Sequence, residues 1–255
     1  MNQSLLTDLY ERKSRRQKSL AILIDPDKAS SSRLERIADF AQTYRPDYFF
    51  VGGSLITSGD LNFVLTFLKK QTDIPIILFP GNNYFISSQA DAVLFLSLIS
   101  GRNPEYLIGQ HIVAAPILKR SGLEILPTAY ILIDCGNPTT VSYISNTTPI
   151  PYDKPEIAAT TAMAGEMLGL KITYLDGGSG ASKPVSPITI TSVSQAVDTP
   201  IIVGGGIKTS QQAIEAYRAG ADLVVVGTAV EETDSSMKDF CQIRNLISLP
   251  ALGES

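Results

Sequence analysis

Short apolar runs rich in Ile, Val, Leu and Phe alternate with longer stretches of helical periodicity from one end of the chain to the other. The runs are LAILI (20–24), YFFV (48–51), PIILF (75–79), AVLFL (92–96), AYILI (129–133), ITYL (172–175), PIIV (200–203) and DLVVV (222–226). None alternates with polar residues, the pattern of strands buried on both faces. Between them the periodicity predicts helices in SSSRLERIADFAQTY, DLNFVLTFLKKQ, NPEYLIGQHIVAAPILKRSG, EIAATTAMAGEMLG, PITITSVSQAV and SQQAIEAYRAG. Ser32 and Glu35 stand in capping-box spacing at the start of the first. Buried strands separated by helices imply a parallel sheet, and eight such units imply a closed barrel. The fold class is therefore α/β, a (β/α)8 TIM barrel with its core over about 20–232. After PIILF, the segment GNNYFISSQAD is too short for a regular helix, so the third unit is irregular. No composition shift or Pro/Gly/Ser linker divides the chain, which reads as a single domain over 1–255.

Composition agrees with this picture and narrows the partners. The 255 residues match the ~250 of a typical barrel. A hydrophobic fraction of 44% against 18% charged residues indicates a large core. A net charge of -4 leaves no general basic field for a nucleic-acid backbone. The basic cluster Arg12, Lys13, Arg15, Arg16 and Lys18 reads as a solvated helix face. Cys135 and Cys241 are far apart and in no metal-type spacing, which suits a reducing compartment, the cytoplasm by default. The first residues lack a signal-peptide core, and AVLFLSLI is too short to span a bilayer, which takes ~20 apolar residues.

Barrel chemistry gathers where strands end. Glycine and polar residues concentrate at those points. The last three strand ends read Asp176-Gly177-Gly178-Ser179-Gly180, Gly204-Gly205-Gly206 and Gly227-Thr228. A single one of these would serve as a tight turn. Three in succession form a phosphate site, because glycine lets backbone N–H groups approach an anion and the loops after strands 7 and 8 are the usual place for one. At the opposite end of the chain, IDPDK sets Asp25, Asp27 and Lys28 after the first strand. Alone it is an ordinary turn and helix entry. Beside a phosphate site, a carboxylate with the hydroxyl of Ser54 or Thr57 offers the oxygen ligands of Mg²⁺, with water and substrate phosphate completing the shell. Two anionic substrates meeting at one mouth is the inference. His111, the only histidine, falls in a predicted helix and disfavours a Ser/His/Asp triad or a histidine zinc site.

In order along the chain, LIDPDK, VGGSLITSG, ILFPGN, PTAYILIDCG, YLDGGSGA, PIIVGGGI and LVVVGTAVEE resemble the geranylgeranylglyceryl phosphate synthase family, which includes the PcrB-type heptaprenylglyceryl phosphate synthases. The wording is closer to the family's larger second group. What the resemblance implies is a prenyltransferase joining the 3-hydroxyl of sn-glycerol 1-phosphate to a polyprenyl diphosphate, geranylgeranyl diphosphate foremost. It implies Mg²⁺ held by Asp25 and Ser54. It implies an acceptor site built from Tyr174, Leu175, Asp176, Gly177, Gly178, Ser179, Gly180, Gly205, Gly206, Gly227 and Thr228. Asp176, where many relatives carry Glu, would orient or deprotonate the attacking hydroxyl. Leu23 stands where the PcrB branch has a lysine, leaving Lys28 as the candidate phosphate contact. A polyprenyl tail needs a long apolar groove, for which Phe79, Pro80, Tyr84, Phe85 and Tyr130 are candidates. The resemblance also implies a homo-oligomer. The competing readings are another phosphate-binding barrel isomerase or lyase, and a catalytically silent barrel that binds a phosphorylated metabolite.

Overall fold

The computed structural model describes residues 4–82, 85–227 and 234–248. Eight parallel strands close into a barrel in chain order: β1 (Ser19–Ile24), β2 (Tyr48–Gly52), β3 (Ile76–Phe79), β4 (Ala92–Leu98), β5 (Glu124–Leu132), β6 (Ile172–Asp176), β7 (Ile201–Gly204) and β8 (Leu223–Val226). Closure comes from β1 on β8, in register from Ser19–Leu223 to Ile22–Val226. All eight apolar runs are strands. Their two-residue side-chain period explains why no polar alternation appeared: one set of positions fills the barrel and the other packs under the helices. Ala21, Phe50, Ile77, Leu94, Tyr130 and Tyr174 belong to the interior set, whereas Ile22, Val51, Leu78, Val93, Ile131 and Leu175 face the helical ring.

That ring contains α2 (Ser31–Tyr44), α3 (Leu61–Gln71), α4 (Gln110–Ser121), α6 (Pro155–Met167), α7 (Pro187–Ser194) and α8 (Ser210–Ala219), with α1 (Leu5–Ser14), a short α5 (Thr140–Ser145) and α9 (Asp234–Ser248) added to it. The first of the predicted helices starts earlier than its capping-box spacing suggested. Ser30, not Ser32, is the N-cap, its side chain accepting from Arg33 N–H at 3.3 Å.

Strand β3 pairs with β4 only at Ile77–Ala92 and Leu78–Val93. Beyond that, β4 follows β5 alone, from Ala92–Glu124 to Leu98–Tyr130. No regular helix covers the described residues between β3 and β4, so Phe95 and Leu96 are only partly buried. The irregular third unit thus leaves a breach in the barrel wall.

Helix α1 closes the opposite end. Leu9 inserts into the interior core, Arg12 pairs with Asp8 and Asp47, and Lys13 and Lys18 pair with Asp222. The basic cluster is therefore not simply a solvated face: Arg12 and Lys18 are mostly buried in ion pairs, and Arg15 and Arg16 stand in water. Among the described residues no helix is long and apolar enough to cross a membrane.

Candidate active site

Two cavities meet at the C-terminal end of the strands. The first, of about 500 Å³, is the more polar of the two and is floored by the barrel's top layer of side chains. Asp25, Lys28 and Ser54 line one side of it; Gly178, Ser179, Gly180, Gly205, Gly206, Lys208 and Gly227 line the other. Tyr174, Asp176, Leu23 and Phe79 form its floor. The two ends of the chain that supplied acid and glycine motifs are thus brought to one mouth, because strand 1 adjoins strand 8 in a closed barrel.

Asp176 is the last residue of β6 and points inward with Tyr174, two positions earlier. Its Oδ1 accepts from Gly178 N–H at 2.7 Å, and its Oδ2 accepts a short hydrogen bond from the Tyr130 hydroxyl. Burial raises its pKa above the ordinary carboxylate value, and the two donors oppose that by favouring the ionised form. Tyr130, Tyr174 and Phe79 pack on one another, with Tyr130 edge-on to Tyr174 at 5.4 Å. Tyr130 was foreseen only as a groove residue. Its pairing with Tyr174 in the β5–β6 register puts it diagonal to Asp176, a relation that strand period alone could have shown.

The glycine loops divide into framework and ligand-facing parts. Gly177 donates to Gly204 O at 3.0 Å and does not line the cavity; Gly178 donates to Asp176. Neither N–H is turned to a phosphate, contrary to the expectation for this stretch. Leu175 also departs from it, its side chain lying in the outer core. After β7, the amides just before α8 are occupied as well, since Lys208 and the N-cap Thr209 donate to Gln212 Oε1, the latter as part of a capping box. The glycine backbone left lining the cavity is that of Gly205–Gly206, both at positive φ, together with Ser179 and Gly180. Gly206 packs so tightly on the Lys183–Pro184 backbone that a Cβ would overlap it. Thr228 lies outside the described residues.

On the acid side, Asp25 caps the 3-10 turn Pro26–Lys28, accepting from Asp27 N–H at 3.0 Å, and Lys28 Nζ stands 3.8 Å from its other oxygen. Thr57 is not at the site: its hydroxyl and N–H both bond Asp27. Amide N–H groups of Ser58 and Thr57 hold the Asp27 carboxyl down at about 2.

The second cavity, about 100 Å³, is apolar and occupies the breach beside β4. Gly53, Ser54 and Phe79 border both cavities, so the two adjoin. From Leu98 and Tyr130 at the mouth it runs along β4 to Val93 and Leu118, about 17 Å at the rise of a strand. Phe79, Pro80 and Tyr130 line it as expected; Phe85 does not, and Tyr84 lies outside the described residues. Tyr106, Ala114, Leu118 and Ile144 were not anticipated; they come from the turn before α4, from α4 itself and from α5. His111 is in this wall, its Nε2 3.1 Å from Ser97 Oγ and its ring edge-on to Phe95. Burial lowers its pKa, which keeps the imidazole neutral in an apolar setting.

Comparison with known proteins places this geometry. The model of the PcrB family matches residues 12–244. The geranylgeranylglyceryl phosphate synthase of Spirosoma linguale is 54% identical over 89% of this chain and 91% of its own length, and that of Chitinophaga pinensis is 50% identical over 94% and 95%. Among solved structures, the (S)-3-O-geranylgeranylglyceryl phosphate synthase of Thermoplasma acidophilum in complex with its substrate sn-glycerol-1-phosphate superposes with a TM-score of 0.88 at 32% identity, covering 95% of this chain and 98% of that one. The tryptophan synthase alpha subunit of Legionella pneumophila, at 15% identity and a TM-score of 0.61, shares the barrel fold alone. With its matched span and these identities, the chain belongs to the PcrB family.

Proposed function

We propose that this protein is a prenyltransferase that joins the 3-hydroxyl of sn-glycerol 1-phosphate to a polyprenyl diphosphate, geranylgeranyl diphosphate being the donor, and releases geranylgeranylglyceryl phosphate and diphosphate. The observation that carries this reading is the junction of an apolar groove with a glycine-walled polar cavity at Phe79, Tyr130 and Asp176. A phosphosugar isomerase or lyase would use the polar cavity and leave the groove without purpose.

The prenyl tail occupies the breach along β4, where each buried CH₂ contributes about 0.8 kcal/mol. Its diphosphate then lies at the mouth near Asp25, Ser54 and Lys28. Glycerol phosphate sits across from it, its phosphate on Gly205–Gly206 and Ser179–Gly180 and its free end toward Asp176. The C–O bond between the allylic carbon and the diphosphate breaks, its electron pair leaving with the diphosphate, and the glycerol oxygen bonds that carbon. Asp176 holds the hydroxyl in line and receives its proton. The Tyr130 and Tyr174 rings face the carbon where positive charge develops.

Asp25 and Ser54 are the residues that would hold Mg²⁺. Among the described residues no three His, Cys, Asp or Glu side chains converge, and one carboxylate with one hydroxyl suits an ion that keeps water and substrate phosphate in its shell. Bound there, Mg²⁺ supplies neutralisation of the charge gathering on the leaving diphosphate.

A homo-oligomer is part of the proposal. Ile108, Ile112, Val113 and Ile117 form an exposed apolar stripe on α4 and the turn before it, a face that a second copy would cover. Buried, unpaired Cys135 and Cys241 suit a cytoplasmic location.

Purified protein given geranylgeranyl diphosphate, sn-glycerol 1-phosphate and Mg²⁺ is expected to release diphosphate, to discriminate against the enantiomeric glycerol phosphate, and to lose turnover in Asp25→Asn. Folded protein that is inactive with every donor from geranyl to heptaprenyl diphosphate would overturn the reading.

A further inference from the structure

The second carboxylate of IDPDK has no part in the chemistry just described. Asp27 is absent from the residues lining either cavity. Yet its two oxygens accept from Thr57 N–H at 2.9 and 3.1 Å, Thr57 Oγ1 at 3.0 Å, Ser58 N–H at 2.9 Å and Gly59 N–H at 2.5 Å. Three successive amides and a hydroxyl thus wrap one carboxylate, much as a backbone nest wraps an anion. A carboxylate has about four lone-pair sites, so these donors leave Asp27 little capacity for a cation.

Packing around the loop repeats the message. A Cβ on Gly59 would overlap the backbone of Pro26 and Asp27, so that glycine is what lets the loop close on the turn after β1. On the loop's other side, a Cβ on Gly81 would overlap the carbonyls of Gly53 and Ser54. The segment carrying Ser54 is therefore gripped between the turn after β1 and the loop after β3.

We propose that Asp27 is a positioning residue: by anchoring Thr57, Ser58 and Gly59 it fixes the loop that carries Ser54 beside Asp25, so that both oxygen ligands stand ready for a cation-bound diphosphate. This rests on the prenyltransferase reading. Among the described residues the glycerol phosphate wall, built from the ends of β6, β7 and β8, has no bond to Asp27. Loosening the anchor thus weakens one substrate selectively.

The test uses Asp27→Asn, Gly59→Ala and the milder Thr57→Val, which removes a single donor. Hydrogen exchange over 53–60 is expected to accelerate in all three, least in Thr57→Val. Mn²⁺ binding in the presence of inorganic diphosphate, read from the free-ion electron spin resonance signal, is expected to weaken. In steady state, the KM for the prenyl diphosphate and the half-saturating Mg²⁺ concentration rise about tenfold or more in Asp27→Asn, while the KM for sn-glycerol 1-phosphate stays within about twofold. A proportional rise in both KM values marks general loss of structure and overturns the proposal. So does faster loop exchange with unchanged diphosphate and metal dependence. If the wild type shows no turnover, the prenyltransferase reading fails; loop exchange and Mn²⁺ binding still decide the anchor, and unaltered values in Asp27→Asn reject it.

Discussion

At the scale of single residues, the group proposed to act as base is a carboxylate whose environment pulls its pKa in two directions. Burial at the top of the barrel disfavours the charge on Asp176, and the Tyr130 hydroxyl and the Gly178 amide favour it. A base must be ionised to accept a proton, so activity should fall on the acid side as Asp176 is protonated, above the ordinary carboxylate range. Removing a donor to the ionised form raises the pKa further. Tyr130→Phe is therefore expected to move the acid limb of kcat/KM to higher pH, and Asp176→Asn to abolish the limb along with about 10²–10⁴ of the rate. A pH–rate profile in which Tyr130→Phe lowers the rate with the limb unmoved would reduce Tyr130 to a packing role. Tyr130 reaches across from the adjacent strand to the short Asp176 side chain and fixes it on the cavity floor.

At the scale of elements, the site is made by loops whose conformations only glycine permits. Gly206 has φ +73° and abuts the Lys183 carbonyl, so Gly206→Ala adds about 1–2 kcal/mol of backbone strain as well as a clash. The loop relaxes by moving off the acceptor's phosphate. The expected outcome is a KM for sn-glycerol 1-phosphate raised roughly tenfold, the equivalent of that strain, with the KM for the prenyl donor little changed. Equal effects on both substrates in initial-rate measurements would reject the assignment of this loop. Elements also show what the sequence could disclose. Strands buried on both faces announce themselves as unbroken apolar runs, which is why the barrel and the positions of Asp25, Ser54 and Asp176 at strand ends were legible. A triplet of serines at 30–32 offers several equivalent caps, and only backbone geometry selects Ser30. Which glycine amides face a ligand depends on sheet register: Gly177 is consumed by β7 and Gly178 by Asp176. The groove was hardest to foresee because it arises where the described residues between β3 and β4 form no regular helix, and its walls come from distant Tyr106, Leu118 and Ile144.

At the scale of the whole molecule, the barrel separates the work of its two ends. The C-terminal end keeps an open mouth, and the N-terminal end carries the closure that stabilises the fold. Asp47 is its hub: one oxygen accepts from Arg12 at 2.8 Å, and the other from Arg244 at 2.6 Å and from Leu20 N–H at 2.9 Å. These contacts join α1, β1 and α9 beneath the barrel. The Arg244 and Asp47 side chains are about nine-tenths buried, which makes this unlike a surface ion pair worth about 0–1 kcal/mol. Among the described residues Asp47 is the carboxylate that pairs with Arg244, so its deletion leaves that buried guanidinium without it, and such deletions cost about 3–5 kcal/mol. Asp47→Ala should therefore lower the unfolding free energy by that order. Because the lesion lies at the end of the barrel remote from Asp25 and Asp176, the KM values and the rate per folded molecule should hold at temperatures where the variant remains native. Denaturant unfolding paired with initial rates on the same preparation checks both halves. A loss below about 1 kcal/mol would place the pair among ordinary surface bridges, and altered KM values in a fully folded variant would show that the two ends communicate.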